Sequence, residues 1–221
     1  MSLLVKICGV NSLEAADATV RAGADFAGLN FYARSPRNVR PDVAHALAER
    51  MRGRLRLVAV LCDPGDADLQ DVIAAAAPDF IQFHGSETPE RVGEVRSRFG
   101  LPVIKAIAVA DASDLASPSP YEQVADMLLF DAKPASGADR TGGYGTPFDW
   151  QILRGRKFAR PWLLAGGLDS ENVGRALRIC DAPGVDTASG VETAPGVKDV
   201  NLIAEFVQAA RNARLAEGAE I

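Results

Sequence analysis

The first residues suited to chemistry are Lys6 and Cys8, which lie in the apolar stretch Val5–Gly9. They are two positions apart, so an extended strand places both side chains on the same face. A nearby ammonium lowers the pKa of a thiol and favours the thiolate, which can act as a base or a nucleophile. A lone cysteine is more often a small buried hydrophobic residue, and Lys6 could instead neutralise a carboxylate, so both alternatives stay open.

Further polar residues follow other apolar stretches of strand length. They are Asn30, Asp63, His84, Asp131, the pair Gly166–Gly167 and the run Asp186–Gly190, with Arg34, Arg37 and Arg40 in the loop after the second stretch. Each has an ordinary explanation by itself, since a carboxylate can cap a turn, a histidine can lie in a core and arginines can lie on a solvated loop. Their repeated position after a strand predicts instead that they converge on one rim of the fold.

Two glycine-containing stretches indicate an anion-binding site. Leu164–Leu168 leaves the seventh predicted strand, and Ala188–Glu192 leaves the eighth. Glycine lets backbone N–H groups approach an anion closely, and the start of a short helix after the eighth strand adds the positive end of its dipole. The glycines could otherwise serve only tight turns. We expect a phosphorylated small molecule as the ligand.

The elements that position these residues alternate regularly along the chain. Apolar runs predict strands at residues 3–8, 25–31, 55–62, 79–84, 101–108, 126–132, 161–165 and 184–188. Amphipathic runs predict helices at 12–22, 41–52, 66–77, 88–99, 111–124, 148–155, 170–179 and 199–213. Ser12 and Thr88 are of the N-cap type, and we expect Asp169 and Ser170 to open the seventh helix. The pattern amounts to eight βα units.

A recurring acidic residue favours one arrangement of these units. Asp25, Asp79 and Asp126 stand at the start of the second, fourth and sixth strands, and Pro183–Asp186 is similar at the eighth. A feature at every second strand suits a closed barrel better than a doubly wound open sheet. We therefore predict an α/β fold, a single-domain (β/α)8 TIM barrel over residues 1–221. Its chemistry should lie at the carboxyl ends of the strands, with phosphate bound after strands seven and eight.

Composition argues against several classes of partner. The 221 residues are 48% hydrophobic and 24% charged with a net charge of −5, which gives no reason to expect nucleic acid or an anionic membrane as a partner. No secretion signal or membrane span is recognisable, so we expect a cytoplasmic protein. Cys8, Cys62 and Cys180 are far apart and odd in number, as in proteins with reduced thiols. Because no CxxC pair or histidine cluster occurs, we expect no metal.

Taken together, the motifs resemble one enzyme family along nearly the whole chain. The matching segments are Lys6–Gly9, Ser35–Arg37, Gln82–Gly85, Leu129–Lys133, Phe148–Trp150, Leu164–Leu168 with Glu171–Val173, and Ser189–Glu192 with Pro195–Asp199. In order and spacing they resemble phosphoribosylanthranilate isomerase, a barrel enzyme of tryptophan biosynthesis. One departure lies after strand six, where the family usually has Gly-Gly-Thr-Gly or Gly-Gly-Asn-Gly and this chain has Tyr144 at the third position of Gly142–Gly145.

The resemblance implies an isomerase that performs an Amadori rearrangement by general acid–base catalysis, without a cofactor. N-(5′-phosphoribosyl)anthranilate would become 1-(o-carboxyphenylamino)-1-deoxyribulose 5-phosphate. Asp131 matches the acid that protonates the furanose oxygen, and Cys8 as thiolate matches the base that removes the C2′ proton. To act as an acid, Asp131 must hold a proton near neutrality.

The resemblance also assigns the binding residues. Arg37 matches the residue that takes the anthranilate carboxylate, a task that suits a planar guanidinium fork, and Asp186 matches a contact to the sugar hydroxyls. The positions that match the phosphate grip are Gly166, Gly167, Ser189 and Gly190. His84 belongs to a family motif and has either a substrate-binding or a structural role.

Two other functions stay open. A metal-dependent pentose-phosphate epimerase would need several histidine and carboxylate ligands at the strand ends, yet the chain has two histidines and His45 falls in a predicted helix. A non-catalytic phosphosugar-binding barrel would not need both Cys8 and Asp131. We expect a phosphorylated small molecule as the partner, and a monomer rather than a homodimer.

Overall fold

The computed structural model describes residues 3–116, 118–133 and 148–218. Eight parallel strands in these residues close into a barrel in the order of the sequence, with the last strand paired to the first. The strands are β1 (Leu4–Cys8), β2 (Phe26–Asn30), β3 (Arg56–Leu61), β4 (Phe80–Phe83), β5 (Val103–Val109), β6 (Met127–Ala132), β7 (Trp162–Leu164) and β8 (Gly184–Thr187). The predicted (β/α)8 barrel is confirmed, whereas a single domain over the whole chain stays a prediction.

Helices cover the outside of the barrel and connect its strands. Within the described ranges they are α1 (Leu13–Ala22), α2 (Pro41–Met51), α3 (Asp66–Ala76), α4 (Pro89–Phe99), α5 (Pro118–Val124), α6 (Val173–Cys180) and α7 (Val200–Gly218). None of these helices is long and apolar enough to cross a membrane. An antiparallel hairpin that the sequence pattern does not predict, β9 (Glu192–Ala194) and β10 (Val197–Lys198), stands between β8 and α7.

Two predicted N-caps are confirmed. The side chain of Ser12 accepts the N–H of Ala15 at the start of α1, and that of Thr88 accepts the N–H of Arg91 at the start of α4. Each of these bonds satisfies one of the N–H groups that the first turn of a helix leaves without a backbone acceptor.

The helix predicted at residues 148–155 is wrong. The segment forms a short 3₁₀ helix, Trp150–Leu153, whose first and fourth side chains are both buried. In a 3₁₀ helix, residues three apart lie directly above one another, so this geometry buries both side chains on one face. Asp149 begins the turn by accepting the N–H of Gln151, and Gly155 follows it with a positive φ of 70°. A positive φ cannot continue a right-handed helix.

The helices predicted at 111–124 and 170–179 also differ from the structure. The first is divided into a 3₁₀ helix, Ala112–Ala116, and α5, which begins at Pro118 because proline needs no partner for an N–H. The second begins at Val173 rather than at Ser170. The Asp169 carboxylate accepts the N–H groups of the two residues before that helix, which holds them in a turn.

The acidic residues before even-numbered strands hold the start of the preceding strand. Asp25, just ahead of β2, accepts the backbone N–H of Val5 in β1 at 2.7 Å. The same contact joins Asp79 to Leu57 at 2.7 Å and Asp126 to Val103 at 2.9 Å. These N–H groups lie near the ends of the strands, where a backbone donor must find a partner other than the neighbouring strand. The repeat in the sequence therefore reflects the pairing of strands in the barrel.

Strand alternation divides the buried side chains into two layers. Outward-facing residues pack under the helices and form the larger hydrophobic core. Inward-facing residues form a smaller cluster that includes Phe26, Ile104 and Leu129. Lys6 and Gln82 are also fully buried, each with 0% exposure. Burying a polar group is costly unless it is hydrogen-bonded, so both side chains need polar partners. Those partners belong to the site.

Candidate active site

A cleft opens at the carboxyl ends of the barrel strands. The residues of the predicted site that line it are Cys8, Arg37, His84, Asp131, Gly166, Gly167, Asp186 and Ser189. Gly190 and Asp63 do not line this cleft. The barrel therefore brings together side chains from β1, β6 and β8 and from the loops after β2, β4 and β7.

Lys6 joins β1 to β8 through a buried ion pair. Its Nζ lies 2.7 Å from Asp186 Oδ1, and the lysine side chain is 0% exposed. Burial acts to lower the pKa of Lys6, but the Asp186 carboxylate and the nearby Cys8 raise it above its ordinary value. Lys6 therefore neutralises a carboxylate inside the barrel. Asp186 Oδ2 lies outside this pair, on a residue that lines the cleft.

Cys8 is the last residue of β1 and is 9% exposed. Burial raises the pKa of its thiol, and the charges of Lys6 and Lys198 offset part of that rise while Asp186 adds to it. The thiol is therefore protonated at neutral pH in the ligand-free protein. If Cys8 acts as a base, it does so from a small thiolate fraction that the two ammonium groups sustain.

Asp131, His84 and Gln82 form a line of side chains from the cleft into the barrel. Asp131 Oδ2 lies 3.1 Å from His84 Nε2, and Asp131 Oδ1 accepts the N–H of Ala132 at 2.9 Å. His84 Nδ1 lies 3.1 Å from Gln82 Nε2. The role of His84, left open by the sequence, therefore includes a direct contact with the candidate acid.

The loop that carries His84 is held by a buried ion pair outside the barrel. Lys105 Nζ lies 2.7 Å from Glu87 Oε2 and donates to the carbonyl oxygen of Gly85 at 2.7 Å. Glu87 also accepts the N–H of Asp63 at 2.7 Å, which joins this loop to the one after β3. A Cβ at position 85 would lie 2.5 Å from an oxygen of Asp63, so glycine is required directly after His84. Asp63 thus fixes the loop rather than contributing to the cleft.

Arg37 reaches the cleft from the loop after β2 and is already paired. Its Nε and Nη2 each lie 2.7 Å from one oxygen of Glu192, and the residue is 7% exposed. Nη1 is not part of this bidentate pair. A Cβ at position 9 would lie 2.4 Å from Arg37 Cδ, so the glycine after Cys8 makes room for the arginine stem.

Glu192 and Lys198 belong to the site although no role was predicted for them. Lys198 Nζ lies 2.8 Å from Glu192 and donates to the carbonyl oxygen of Ala188. Burial acts to raise the pKa of Glu192, but Arg37 and Lys198 outweigh it and hold that pKa below its ordinary value. Both residues lie in motif segments of the sequence, which was the available signal. Their pairing across the β9–β10 hairpin was not visible in it.

In the glycine-rich loops after β7 and β8, the backbone lies so close to neighbouring atoms that a side chain would not fit. Gly166 and Gly167 have positive φ values of 87° and 67°, and a Cβ at position 166 would lie 2.5 Å from the backbone nitrogen of Ala132. A Cβ at position 190 would lie 1.9 Å from the carbonyl oxygen of Leu168. Gly190 therefore lets the loops after β7 and β8 touch. Ser189 begins a 3₁₀ helix of three residues.

Two further features of the sequence concern metal ligands and the loop after β6. Across residues 3–116, 118–133 and 148–218, no group of three or more histidine, cysteine, aspartate or glutamate side chains is placed to hold a metal ion. Gly142–Gly145, with the unusual Tyr144, lies outside the described residues.

Nearly the whole chain is also similar to known proteins of one enzyme family. The PRAI family model, described as N-(5'phosphoribosyl)anthranilate (PRA) isomerase, matches residues 5–209. The N-(5'-phosphoribosyl)anthranilate isomerase of Paramagnetospirillum magneticum is 50% identical over 214 residues, which cover 97% of this chain and 100% of the relative. That of Rhodopseudomonas palustris is 50% identical over 211 residues, covering 96% and 97%.

Solved structures show the same relationship. Phosphoribosyl anthranilate isomerase from Thermotoga maritima aligns with a TM-score of 0.85 at 31% identity, covering 95% of this chain and 99% of that one. Another structure of a phosphoribosyl anthranilate isomerase, in complex with reduced 1-(o-carboxyphenylamino)-1-deoxyribulose 5-phosphate, aligns with a TM-score of 0.81 at 30% identity, covering 95% of this chain and 99% of that one. The family match includes all the residues of the cleft. This chain belongs to the N-(5'-phosphoribosyl)anthranilate isomerase family.

Proposed function

We propose that this chain is the isomerase that converts N-(5′-phosphoribosyl)anthranilate to 1-(o-carboxyphenylamino)-1-deoxyribulose 5-phosphate in tryptophan biosynthesis. The observation that carries the proposal is that Cys8 and Asp131 line one cleft in a chain of this family. An Amadori rearrangement needs an acid and a base that reach the same sugar. The test is to incubate the purified protein with freshly made phosphoribosylanthranilate and to follow the loss of its fluorescence. Unchanged fluorescence would contradict the proposal.

The proposed reaction begins at Asp131. Its carboxyl proton passes to the furanose oxygen, the bond from that oxygen to C1′ breaks, and a protonated Schiff base forms at C1′. Cys8 Sγ then takes the C2′ proton, and the electron pair of that C–H bond forms the C1′=C2′ bond while the C=N pair moves to nitrogen. The enolamine becomes the aminoketose when C1′ gains a proton and the C2′ hydroxyl loses one.

Recognition of the two ends of the substrate divides between two sides of the cleft. Gly166, Gly167 and Ser189 offer backbone N–H groups and a hydroxyl to the phosphate. Arg37 offers its guanidinium to the anthranilate carboxylate, with Glu192 holding the fork in place. Asp186 contacts the sugar hydroxyls through Oδ2, because Oδ1 is paired with Lys6.

Arg37→Met should raise KM while changing kcat much less. If Arg37 binds the carboxylate equally well in the ground state and in the transition state, its removal weakens both by the same amount. The substrate then binds less tightly while the barrier from the bound substrate stays the same. A charge-assisted pair shielded from water is worth roughly 1.5–3 kcal/mol, so kcat/KM should fall on the order of 10- to 150-fold. Steady-state kinetics of the purified variant measure both constants.

Two controls accompany Arg37→Met. Arg40→Met removes an arginine from the same loop whose side chain is 76% exposed and paired with Asp42, so its KM should match that of the wild type. Inorganic phosphate, as a competitive inhibitor, should bind Arg37→Met as well as it binds the wild type. If phosphate inhibition is lost while KM is unchanged, the two ends of the substrate are assigned to the wrong sides.

The rate should rise with pH above neutrality. The raised pKa of Cys8 leaves the thiol protonated at pH 7, so the fraction of thiolate increases as the pH approaches that pKa. In the range below it, kcat/KM should increase up to ~10-fold per pH unit, and initial rates from pH 7 to 9 measure this slope. Because the mechanism also needs a protonated acid, a flat profile over that range would mean that loss of the acid's proton cancels the gain in thiolate, and a profile that falls from pH 7 would show that ionisation of Cys8 does not limit the reaction.

A further inference from the structure

Gln82 contacts the histidine that pairs with the proposed acid, and the reaction described above gives Gln82 no role. Its side chain is 0% exposed inside the barrel, and its Nε2 lies 3.1 Å from His84 Nδ1. His84 Nε2 lies in turn 3.1 Å from Asp131 Oδ2. Gln82 itself does not line the cleft, so any effect on the substrate must pass through His84.

The orientation of the Gln82 amide decides which nitrogen of His84 carries the proton. A neutral imidazole has one N–H donor and one acceptor nitrogen. When Gln82 Nε2 donates to His84 Nδ1, the histidine proton is on Nε2 and is donated to Asp131. Both oxygens of Asp131 then accept hydrogen bonds, from His84 and from the N–H of Ala132, and this arrangement places no proton on Asp131 for the substrate.

The other end of the same amide does nothing to fix this orientation. Gln82 Oε1 is buried without a hydrogen-bond partner within the part of the chain that the structure describes. Buried side-chain oxygens nearly always have a partner. The oxygen and nitrogen of an amide are nearly equal in size, so a half-turn of the amide brings Oε1 to His84 without moving the backbone. Oε1 then accepts the Nδ1 proton, His84 Nε2 becomes an acceptor, and Asp131 carries the proton between them.

We propose that Gln82 is a positioning residue whose carbonyl oxygen holds His84 in the Nδ1–H form, so that His84 Nε2 accepts a hydrogen bond from a protonated Asp131. This rests on the proposed function, in which Asp131 is the acid. After Asp131 gives its proton to the furanose oxygen, His84, whose side chain is 19% exposed, takes a proton from solvent on Nε2. It passes that proton to Asp131 and returns to the Nδ1–H form, which Gln82 holds throughout.

Two substitutions of Gln82 separate this role from packing. Gln82→Met removes the acceptor and keeps the length of the side chain, so kcat should fall on the order of 10-fold while KM changes little. Gln82→Glu keeps an acceptor for Nδ1–H and should lose less activity than Gln82→Met. A packing role predicts the reverse order, because a buried carboxylate disturbs the barrel interior more than a thioether does. That reverse order would overturn the proposal.

A double-mutant cycle tests whether Gln82 acts through His84. In a His84→Phe background, Gln82→Met should cause no further loss in kcat. An equal loss in both backgrounds contradicts the proposal. Ile104→Val is the matched control, since Ile104 is paired in register with Gln82 and does not line the cleft. Its kcat should match that of the wild type, and a loss equal to that of Gln82→Met would mean a general disturbance of the barrel interior.

Nitrogen NMR of ¹⁵N-histidine-labelled protein gives a result that does not depend on activity. The chain has two histidines, so His84→Phe identifies the His84 signals. We expect the Nδ1–H tautomer in the wild type and the Nε2–H tautomer in Gln82→Met. The same tautomer in both proteins overturns the role of Gln82 even if the wild type is fully active. If the wild type does not convert phosphoribosylanthranilate, the proposed function fails, and the tautomers still decide whether Gln82 controls His84.

Discussion

Replacing Cys8 with serine should leave the barrel folded and lower kcat at least ~100-fold, the scale of losing a positioned acid or base. Serine nearly matches cysteine in size, and the side chain, although buried, stands at the end of β1 where it lines the cleft. A hydroxyl is far too weak an acid to form the anion that removes the C2′ proton. The fluorescence assay gives kcat, and a thermal melt checks the fold.

Cys62→Ser is the matched control for Cys8→Ser. Cys62 lines the same cleft from the end of β3, but burial raises its pKa to about 12, so it supplies almost no thiolate. Cys62→Ser should therefore keep kcat within about 3-fold of the wild type. If Cys8→Ser turns over like the wild type and Cys62→Ser does not, the base is the other thiol.

Asp131→Asn should also lower kcat at least ~100-fold, because an amide keeps the shape of the carboxyl group but has no acidic proton to give. The amide can still pair with His84 and with the N–H of Ala132, which Asp131 contacts at 3.1 and 2.9 Å. The loss should therefore appear in kcat rather than in thermal stability. Single-turnover rates measure the chemical step directly.

Asp63→Asn is the control for Asp131→Asn. Asp63 also stands at the end of a strand, but its carboxylate accepts the N–H of Ser86 and joins two loops outside the cleft. Its φ of 47° is one that asparagine adopts readily, so the loop should keep its shape. We expect kcat of Asp63→Asn near that of the wild type. Turnover of Asp131→Asn within a factor of a few would assign ring opening to another group.

Much of the fold could be predicted because its signals are local. Strand alternation predicted that Lys6 and Cys8 share one face of β1, and N-cap chemistry located the starts of α1 and α4. The prediction was wrong at residues 148–155, where an amphipathic run suited either a helix or a single turn. Burial of both Trp150 and Leu153 favours the short 3₁₀ helix that the structure has.

The candidate site could be predicted as a set of residues but not as a set of pairs. The ends of the strands indicated most of the side chains that reach the cleft, because parallel strands direct their carboxyl ends to one rim, but Asp63 at the end of β3 holds a loop instead. Gly190 was the exception among the predicted phosphate residues, since its place is set by contact with the carbonyl oxygen of Leu168. Only the packing of two loops against each other could show that.

The sequence by itself determined the alternation of elements, the family and the residues of the rim. The tertiary structure alone decided which charge neutralises which. Lys6 pairs with Asp186 across 180 residues, and Arg37 pairs with Glu192 across 155. The first contact exists because β8 closes onto β1 in a register that places Lys6 opposite Asp186, and the second because the β9–β10 hairpin reaches the loop after β2. Such pairs depend on closure and register, which no local pattern of residues records.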